Sequence, residues 1–303
     1  MPELPDVELY LHALRSRVRG EPLEGVRLKS PFLLRTVEPR PSEAVGARVE
    51  GLRRLGKRIV FAFEGELFFV LHLMIAGRLQ WKKAGAKIPG RMGLAAFDFP
   101  GGALLLTEAS KKKRAKLHVV RGEAALAEHD PGGLEPLELD AAGFAARLRE
   151  GNHTIKRALT DPRIFSGIGN AYSDEILHAA RLPPHRRTQK LSDAELERLH
   201  AATVETLGRW RDALIAEVGE GWPTKVTAFR PEMAVHGRYG EPCTVCGQPV
   251  QRIAYAGNET NYCAECQNGG KLLADRSLSR LLKGDWPKTL EQLEEMKRAR
   301  KRE

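Results

Sequence analysis

The sequence predicts a multidomain α+β protein: an N-terminal β-sandwich entered through a helix, then a helical region, then a small metal-binding β-hairpin. Three observations predict it. Apolar residues recur at helical spacing over residues 1–20 and at strand-like spacing from about 25 to 125. Helical periodicity returns beyond residue 140. All four cysteines fall in two CxxC pairs near the end of the chain.

Residues 1–20 read as a helix entered through Pro5, with Asp6 and Glu8 in its first turn. Proline at the first helical position and acids near the positive end of the dipole suit that reading. Val7, Leu11, Leu14 and Val18 put one face in the core, and Pro2 and Glu3 lie ahead of the helix. Residues 58–63 and 67–72 are apolar runs separated by a Glu64-Gly65 turn, a hairpin signal. Further strands are expected at 93–99, 103–107 and 116–120. The stretch 129–137 has a linker's composition. Helices are then expected at 140–150, 154–161, 170–180, 191–217 and 288–302. Gly167-Ile168-Gly169-Asn170 is the tight turn that opens the third of these, and Ser192 offers the next an N-cap.

Cys243-x-x-Cys246 and Cys263-x-x-Cys266 have the spacing of two knuckles that supply four thiolates to one ion. Four thiolates leave no open coordination position, so the expected Zn2+ is structural; iron in the same ligand set is the alternative. Val250, Ile253, Tyr255, Thr260 and Tyr262 suit a β-hairpin between the pairs.

Composition narrows the function. The 303 residues carry 49 Lys and Arg against 39 Asp and Glu, a net charge of +10, which fits a nucleic-acid partner. No apolar run has the length of a membrane helix, and the first residues have no basic and apolar leader. A monomer in the cytoplasm, associated with the nucleoid if bacterial, is the expectation.

Met1-Pro2-Glu3-Leu4-Pro5-Asp6-Val7-Glu8, then Lys57, then Gly167-Ile168-Gly169-Asn170, then the CxxC pairs, occur in this order over residues 1–267. Together they resemble the formamidopyrimidine-DNA glycosylase/endonuclease VIII family. The resemblance implies a β-sandwich, a helix–two-turn–helix domain and a zinc finger, with damaged double-stranded DNA bound across a cleft. It divides the chain into an N-terminal catalytic domain (1–128), a linker and first helix (129–150), a helix–two-turn–helix DNA-binding domain (151–235), the zinc finger (236–267) and a basic extension (268–303). It implies base-excision repair by a bifunctional glycosylase and AP lyase acting on oxidised or ring-opened bases.

The residues support that chemistry. Removal of Met1 before a small residue frees the secondary amine of Pro2, which can attack a sugar C1′ and form an iminium, the logic of a Schiff-base lysine. An α-amino group titrates near 8, and nearby cations raise its neutral fraction. Glu3 can protonate the sugar ring oxygen. The resemblance makes Lys57 a phosphate ligand and catalytic aid, gives His72 and Asn170 phosphate contacts, and places Lys156 among the DNA-binding residues. Asp6 takes a supporting role at the helix terminus, and Tyr172 reads as core.

Four departures from the family pattern stand out. The wedge that fills the space left by an extruded base falls to Met74 or Ile75. Where relatives carry an arginine and a phenylalanine that read the opposite base, this chain has Lys111, Lys112, Lys113 and Arg114, which offer charge without base readout. The stretch between the last long helix and His236 is short. Asn258 stands where the finger usually carries arginine, and Arg252 on the opposite arm is the expected substitute. Residues 268–303 continue beyond the point where many relatives stop, as a helix ending in a basic run from Lys297 to Arg302. Two other readings compete with the enzyme: a catalytically silent zinc-finger protein that binds damaged DNA on the same scaffold, and a protein-interaction scaffold.

Overall fold

The structure is a computed structural model that describes residues 1–255, 258–274 and 286–300, except the side chains of residues 255, 258, 297 and 300. The chain divides into two compact units. The first joins Met1–Gly133 to Gly208–Thr227, and the second joins Leu134–Leu207 to Ala228–Glu303. Residues 208–227, expected with the helical domain, thus cluster with the N-terminal half.

Unit one opens with α1 (Leu4–Val18), with Pro5 in its first turn and Glu3 as N-cap. The expectation of a single buried face falls short: Leu4, Leu9, Tyr10 and Ala13 are buried as well as Val7, Leu11, Leu14 and Val18. Two four-stranded antiparallel sheets follow. One runs β2 (Val49–Leu55), β3 (Arg58–Phe63), β4 (Leu67–His72), β8 (Lys116–Arg121); the other runs β1 (Gly25–Leu28), β6 (Gly93–Phe99), β7 (Gly102–Glu108), β5 (Gly77–Lys82). The expected 58–63/67–72 hairpin forms, with Phe63 paired to Leu67. Its loop therefore has three residues, and Gly65 and Glu66 both take positive φ.

Alternation sorts the first sheet's side chains. Ile59, Phe61, Phe63, Phe69 and Leu71 point into the sandwich, where Phe63 meets Phe69 edge-on at 4.8 Å. Val60, Phe68, Val70 and Val120 point outward and are covered by Leu126 of a short helix, α2 (Glu123–Ala127), which the sequence did not signal. Residues 219–227 are held onto this unit. His12 and Arg17 bond to the Gly219 and Glu220 carbonyls, Trp222 donates its indole N–H to the Leu79 carbonyl, and Arg78 donates to that of Val226.

Unit two contains α3 (Ala141–Arg149), α4 (Ile155–Thr160), α5 (Asn170–Ala179) and most of α6 (Asp193–Val218). Thr154 caps α4. Ser192 and Glu195 form a reciprocal capping box at α6. The hairpin β9 (Gln251–Tyr255) and β10 (Asn258–Tyr262) leads into α7 (Ala264–Asn268). Beyond it, Leu272 N–H bonds to the Lys288 carbonyl and Leu273 N–H to the Tyr262 hydroxyl, and α8 (Leu290–Arg300) follows. Residues 301–303, and the side chains of Lys297, Arg300 and Asn258, lie outside the described residues. No described helix is long and apolar enough to cross a membrane.

Candidate active site and metal centre

The first three residues are seated in unit one rather than trailing from it. Pro2 and Glu3 are buried. Asp6 accepts the Glu3 backbone N–H at 2.9 Å, and the Glu3 carboxylate accepts from the Asp6 backbone in return, a capping box built from two acids. The supporting role expected of Asp6 is therefore a cap. The chain carries Met1, so the terminal amine here is that of methionine. It is held below the ordinary α-amino range, first by burial; Glu3 and Asp6 oppose the shift, and Arg78 and Lys57 add to it. One end of the unit thus gathers the N-terminus, a buried carboxylate and two cations. Burial, on which the sequence argument for the nucleophile did not depend, contributes most to lowering the amine.

Lys57 reaches this place through a two-residue turn. Leu55 pairs with Arg58, and Gly56 takes φ +60° as the first turn residue, where a side chain would strain the backbone. Next to it lies a row of bases the sequence did not reveal. Arg58, His72 and Lys116 are direct partners across β3, β4 and β8. Like charges directly opposite repel, and His72 responds. Its imidazole is held down to about 4, first by burial and then by Arg58, Lys57, Lys116 and His118. His118 is likewise held at about 4, by burial, by its tilted neighbour His129 and by Arg58, Lys116 and Arg35. His72 is therefore a neutral hydrogen-bonding group at pH 7, not the cation a phosphate contact suggests.

The two wedge candidates separate. Met74 sits at φ +53° and is half-buried, whereas Ile75 is 59% exposed at the tip of the β4–β5 turn. Gly77 N–H closes that turn on the Leu73 carbonyl at 2.9 Å, and a Cβ at Gly77 would meet the same oxygen at 2.2 Å. The basic loop is also built rather than loose. Buried Glu108 accepts the N–H groups of Arg114 and Ala115 and the Ser110 hydroxyl, and Lys113 donates to its carbonyl. Lys111, Lys112 and Arg114 remain exposed around it.

In unit two the expected DNA-binding residues are already engaged. Lys156 is turned inward: its ammonium donates to buried Asp174 at 2.5 Å and to the Asn170 carbonyl at 2.7 Å. Through these two bonds it holds the Gly167–Asn170 turn. Asn170 donates Nδ2–H to the Glu259 carbonyl at 2.7 Å. Arg252 stacks on Tyr239 at 4.3 Å and pairs with Glu259 at 3.2 Å. Tyr172 is core, as expected.

Of two adjacent acids, sequence reasoning missed Asp174 and noted Glu175 only as matching the family pattern, without a role. Glu175 accepts the backbone N–H groups of Ala234, Val235 and His236, and Asp174 accepts from His236 Nδ1 at 2.8 Å and from Asn261 N–H as well as from Lys156. Only their place on the apolar, buried side of a helix could have marked them.

Among the described residues, Cys243, Cys246, Cys263 and Cys266 bring their sulfurs within 4.8 Å of one another. Cys243 and Cys266 are 3.9 Å apart, and Cys246 and Cys263 are 3.4 Å apart. Zn–S bonds of about 2.3 Å in a tetrahedron require sulfurs about 3.8 Å apart. The donor set therefore fits one zinc ion, and it would brace the hairpin rather than meet substrate.

Comparison with known proteins agrees with this anatomy. Residues 1–130 match the formamidopyrimidine-DNA glycosylase N-terminal domain, 133–213 its H2TH domain, and 240–269 a zinc finger found in FPG and IleRS. The formamidopyrimidine-DNA glycosylase of Geobacillus kaustophilus is 34% identical over 283 residues, covering 88% of this chain and 100% of its own. That of Thermus thermophilus is 33% identical over 280 residues, covering 89% and 100%. A solved complex of Lactococcus lactis Fpg with DNA containing an abasic site superposes with a TM-score of 0.77 at 25% identity, covering 88% of this chain and 99% of that one. With a seated N-terminal Pro2-Glu3, an intervening helical domain and a four-cysteine finger in one chain, the protein belongs to the formamidopyrimidine-DNA glycosylase family.

Proposed function

We propose that the protein is a DNA glycosylase with AP-lyase activity that acts on damaged bases in double-stranded DNA. The observation that carries this reading is the gathering of the chain's N-terminus, Glu3, Lys57 and Arg78 at one end of unit one. After Met1 is removed, the Pro2 nitrogen uses its lone pair to attack C1′ of the damaged nucleoside. The glycosidic bond breaks, and the base leaves with that electron pair and takes up a proton. Glu3 protonates the sugar ring oxygen, the ring opens, and C1′ becomes an iminium of Pro2. Loss of a C2′ proton then expels the 3′ phosphate, a second elimination expels the 5′ phosphate, and water releases Pro2.

Lys57 neutralises a phosphate beside the reacting sugar. Neutral His72 donates a hydrogen bond to the backbone without adding charge. Ile75, rather than Met74, enters the stack where the base leaves. Lys111, Lys112, Lys113 and Arg114 track the opposite backbone by charge. Asn170 and Arg252 reach phosphate from unit two, and Lys156 keeps the Asn170 turn in shape.

Borohydride trapping on a duplex with one abasic site tests the reading. A covalent protein–DNA adduct that maps to Pro2 is expected. A protein that binds the duplex and leaves no adduct is instead the silent damage-binding protein.

A further inference from the structure

One buried, hydrogen-bonding side chain of α5 has no part in the chemistry above. His178 is 5% exposed and places Nε2 at 3.3 Å from the Cys243 sulfur. Four thiolates around one Zn2+ leave the centre with an excess of two negative charges, and Cys243 is itself buried. A metal-bound thiolate can only accept. The ring nitrogen facing it must therefore carry the proton, so Nε2–H is the donor. The four sulfurs already complete a tetrahedron, so His178 is not a fifth ligand.

The placement of His178 on its helix gives this bond further reach. Asn170, Asp174 and His178 are spaced at i, i+4 and i+8 and so share one face of α5. Asn170 holds the Glu259 carbonyl, Asp174 holds Asn261 N–H, and His178 holds the Cys243 knuckle. One helical stripe thus grips the finger on its second strand and at its first metal ligand. Among the described residues, backbone N–H groups also donate to these sulfurs: Val245 and Cys246 to Cys243, and Cys266 to Cys263.

We propose that His178 is a positioning residue of the metal centre, donating Nε2–H to the Cys243 thiolate so that it orients the knuckle and spreads the charge of the loaded site. Hydrogen bonds to metal ligands from outside the coordination sphere commonly govern affinity by 10–100-fold, and removing one from a thiolate makes the sulfur a stronger electron donor.

The test uses the full-length chain loaded with zinc or with cobalt(II), and it makes no use of DNA. His178→Phe keeps a flat ring and removes the donor; His178→Gln restores an N–H at similar reach. In chelator competition, His178→Phe should lose roughly tenfold or more in zinc affinity, and His178→Gln should recover most of it. The sulfur-to-cobalt charge-transfer band should move to lower energy in His178→Phe and return in His178→Gln. Alkylation of Cys243 in the zinc form, mapped by mass spectrometry, should follow the same order. Wild-type affinity and an unshifted band in His178→Phe would overturn the proposal, as would equal losses in both variants. Should His178→Phe fail to fold, His178→Asn decides: its amide is too short to reach Cys243, so a band matching that of His178→Gln would also overturn it.

Discussion

Two pairs of buried acids sit on two helices, and they do opposite things. Glu3 and Asp6 cap the start of α1 beside the N-terminus, Lys57 and Arg78. Asp174 and Glu175 lie within α5 and take six hydrogen bonds from Lys156, His236, Asn261 and the backbone of 234–236. The second pair is saturated by donors from distant parts of its unit and works as a fastener. The first pair is arranged around a chain end whose amine burial holds below the ordinary α-amino range. Burial of a carboxylate therefore does not by itself mark a reactive site; what faces it does.

The largest expected effect tests this contrast from the first side. A chain that retains Met1, or carries Glu3→Gln, should unfold at the same temperature as the processed protein. Blocking the amine should remove the borohydride adduct altogether, and Glu3→Gln should slow adduct formation about 10²–10⁴-fold, the usual range for a lost general acid. Normal cleavage of abasic DNA by Met1-blocked protein would end the assignment of Pro2.

The second side should fail in a different way. Glu175→Ala strands two buried backbone N–H groups, those of Val235 and His236, at about 1–3 kcal/mol each, and the half-buried one of Ala234. Calorimetry should show a large drop in melting temperature, with DNA affinity falling alongside it. The folded fraction at low temperature should still form the adduct on abasic DNA at saturating protein. Loss of adduct formation by fully folded Glu175→Ala would erase the distinction between the pairs.

Much of this was legible in the sequence, and the boundary of legibility has a physical meaning. Periodicity announced α1 and the β3–β4 hairpin, and spacing announced the metal ligands, because each is a local pattern. The motifs around Pro2 and Asn170 were legible because the chemistry demands a chain end and a turn. The engagement of Lys156 was not legible because its partner, Asp174, comes eighteen residues later, and a cation's partner cannot be read from its own neighbourhood. The Glu108 loop, the Arg58–His72–Lys116 row and the place of residues 208–227 likewise depend on which strands pair and what packs on them.

Two smaller effects refine the contrast. His72 and His118 are held near 4 in the native protein, whereas a free imidazole titrates at 6.5. Between those values the unfolded chain binds protons that the native chain does not, so stability should fall as pH drops from 6.5 towards 4. Thermal unfolding across that range should show the decline, and His72→Gln with His118→Gln should flatten it. An unchanged slope in the double variant would show that the decline arises elsewhere.

The smallest effect concerns the lesion. Residues 219–227 are short and pinned by His12, Arg17, Trp222 and Arg78, and the run Lys111–Arg114 stands where the resemblance leads one to expect an Arg/Phe pair. Loss of a good base contact removes roughly 1–3 kcal/mol of discrimination. Single-turnover rates on 8-oxoguanine opposite cytosine should therefore fall well below those on abasic sites, with weak preference for the opposite base. Comparable rates on both substrates, with strong selection against adenine, would show that Ile75 and the basic loop rebuild the missing readers.

The pinning of residues 219–227 also bears on how the protein is made. The N-terminal unit is discontinuous: it takes in Gly208–Thr227 after the chain has built much of the second unit. Trp222, which lies against Tyr10 and Trp81, leaves the ribosome some two hundred residues after the helix it packs on. The face of that helix must therefore wait, incompletely covered, through most of translation, and a fragment ending at residue 133 would lack the segment that completes its unit.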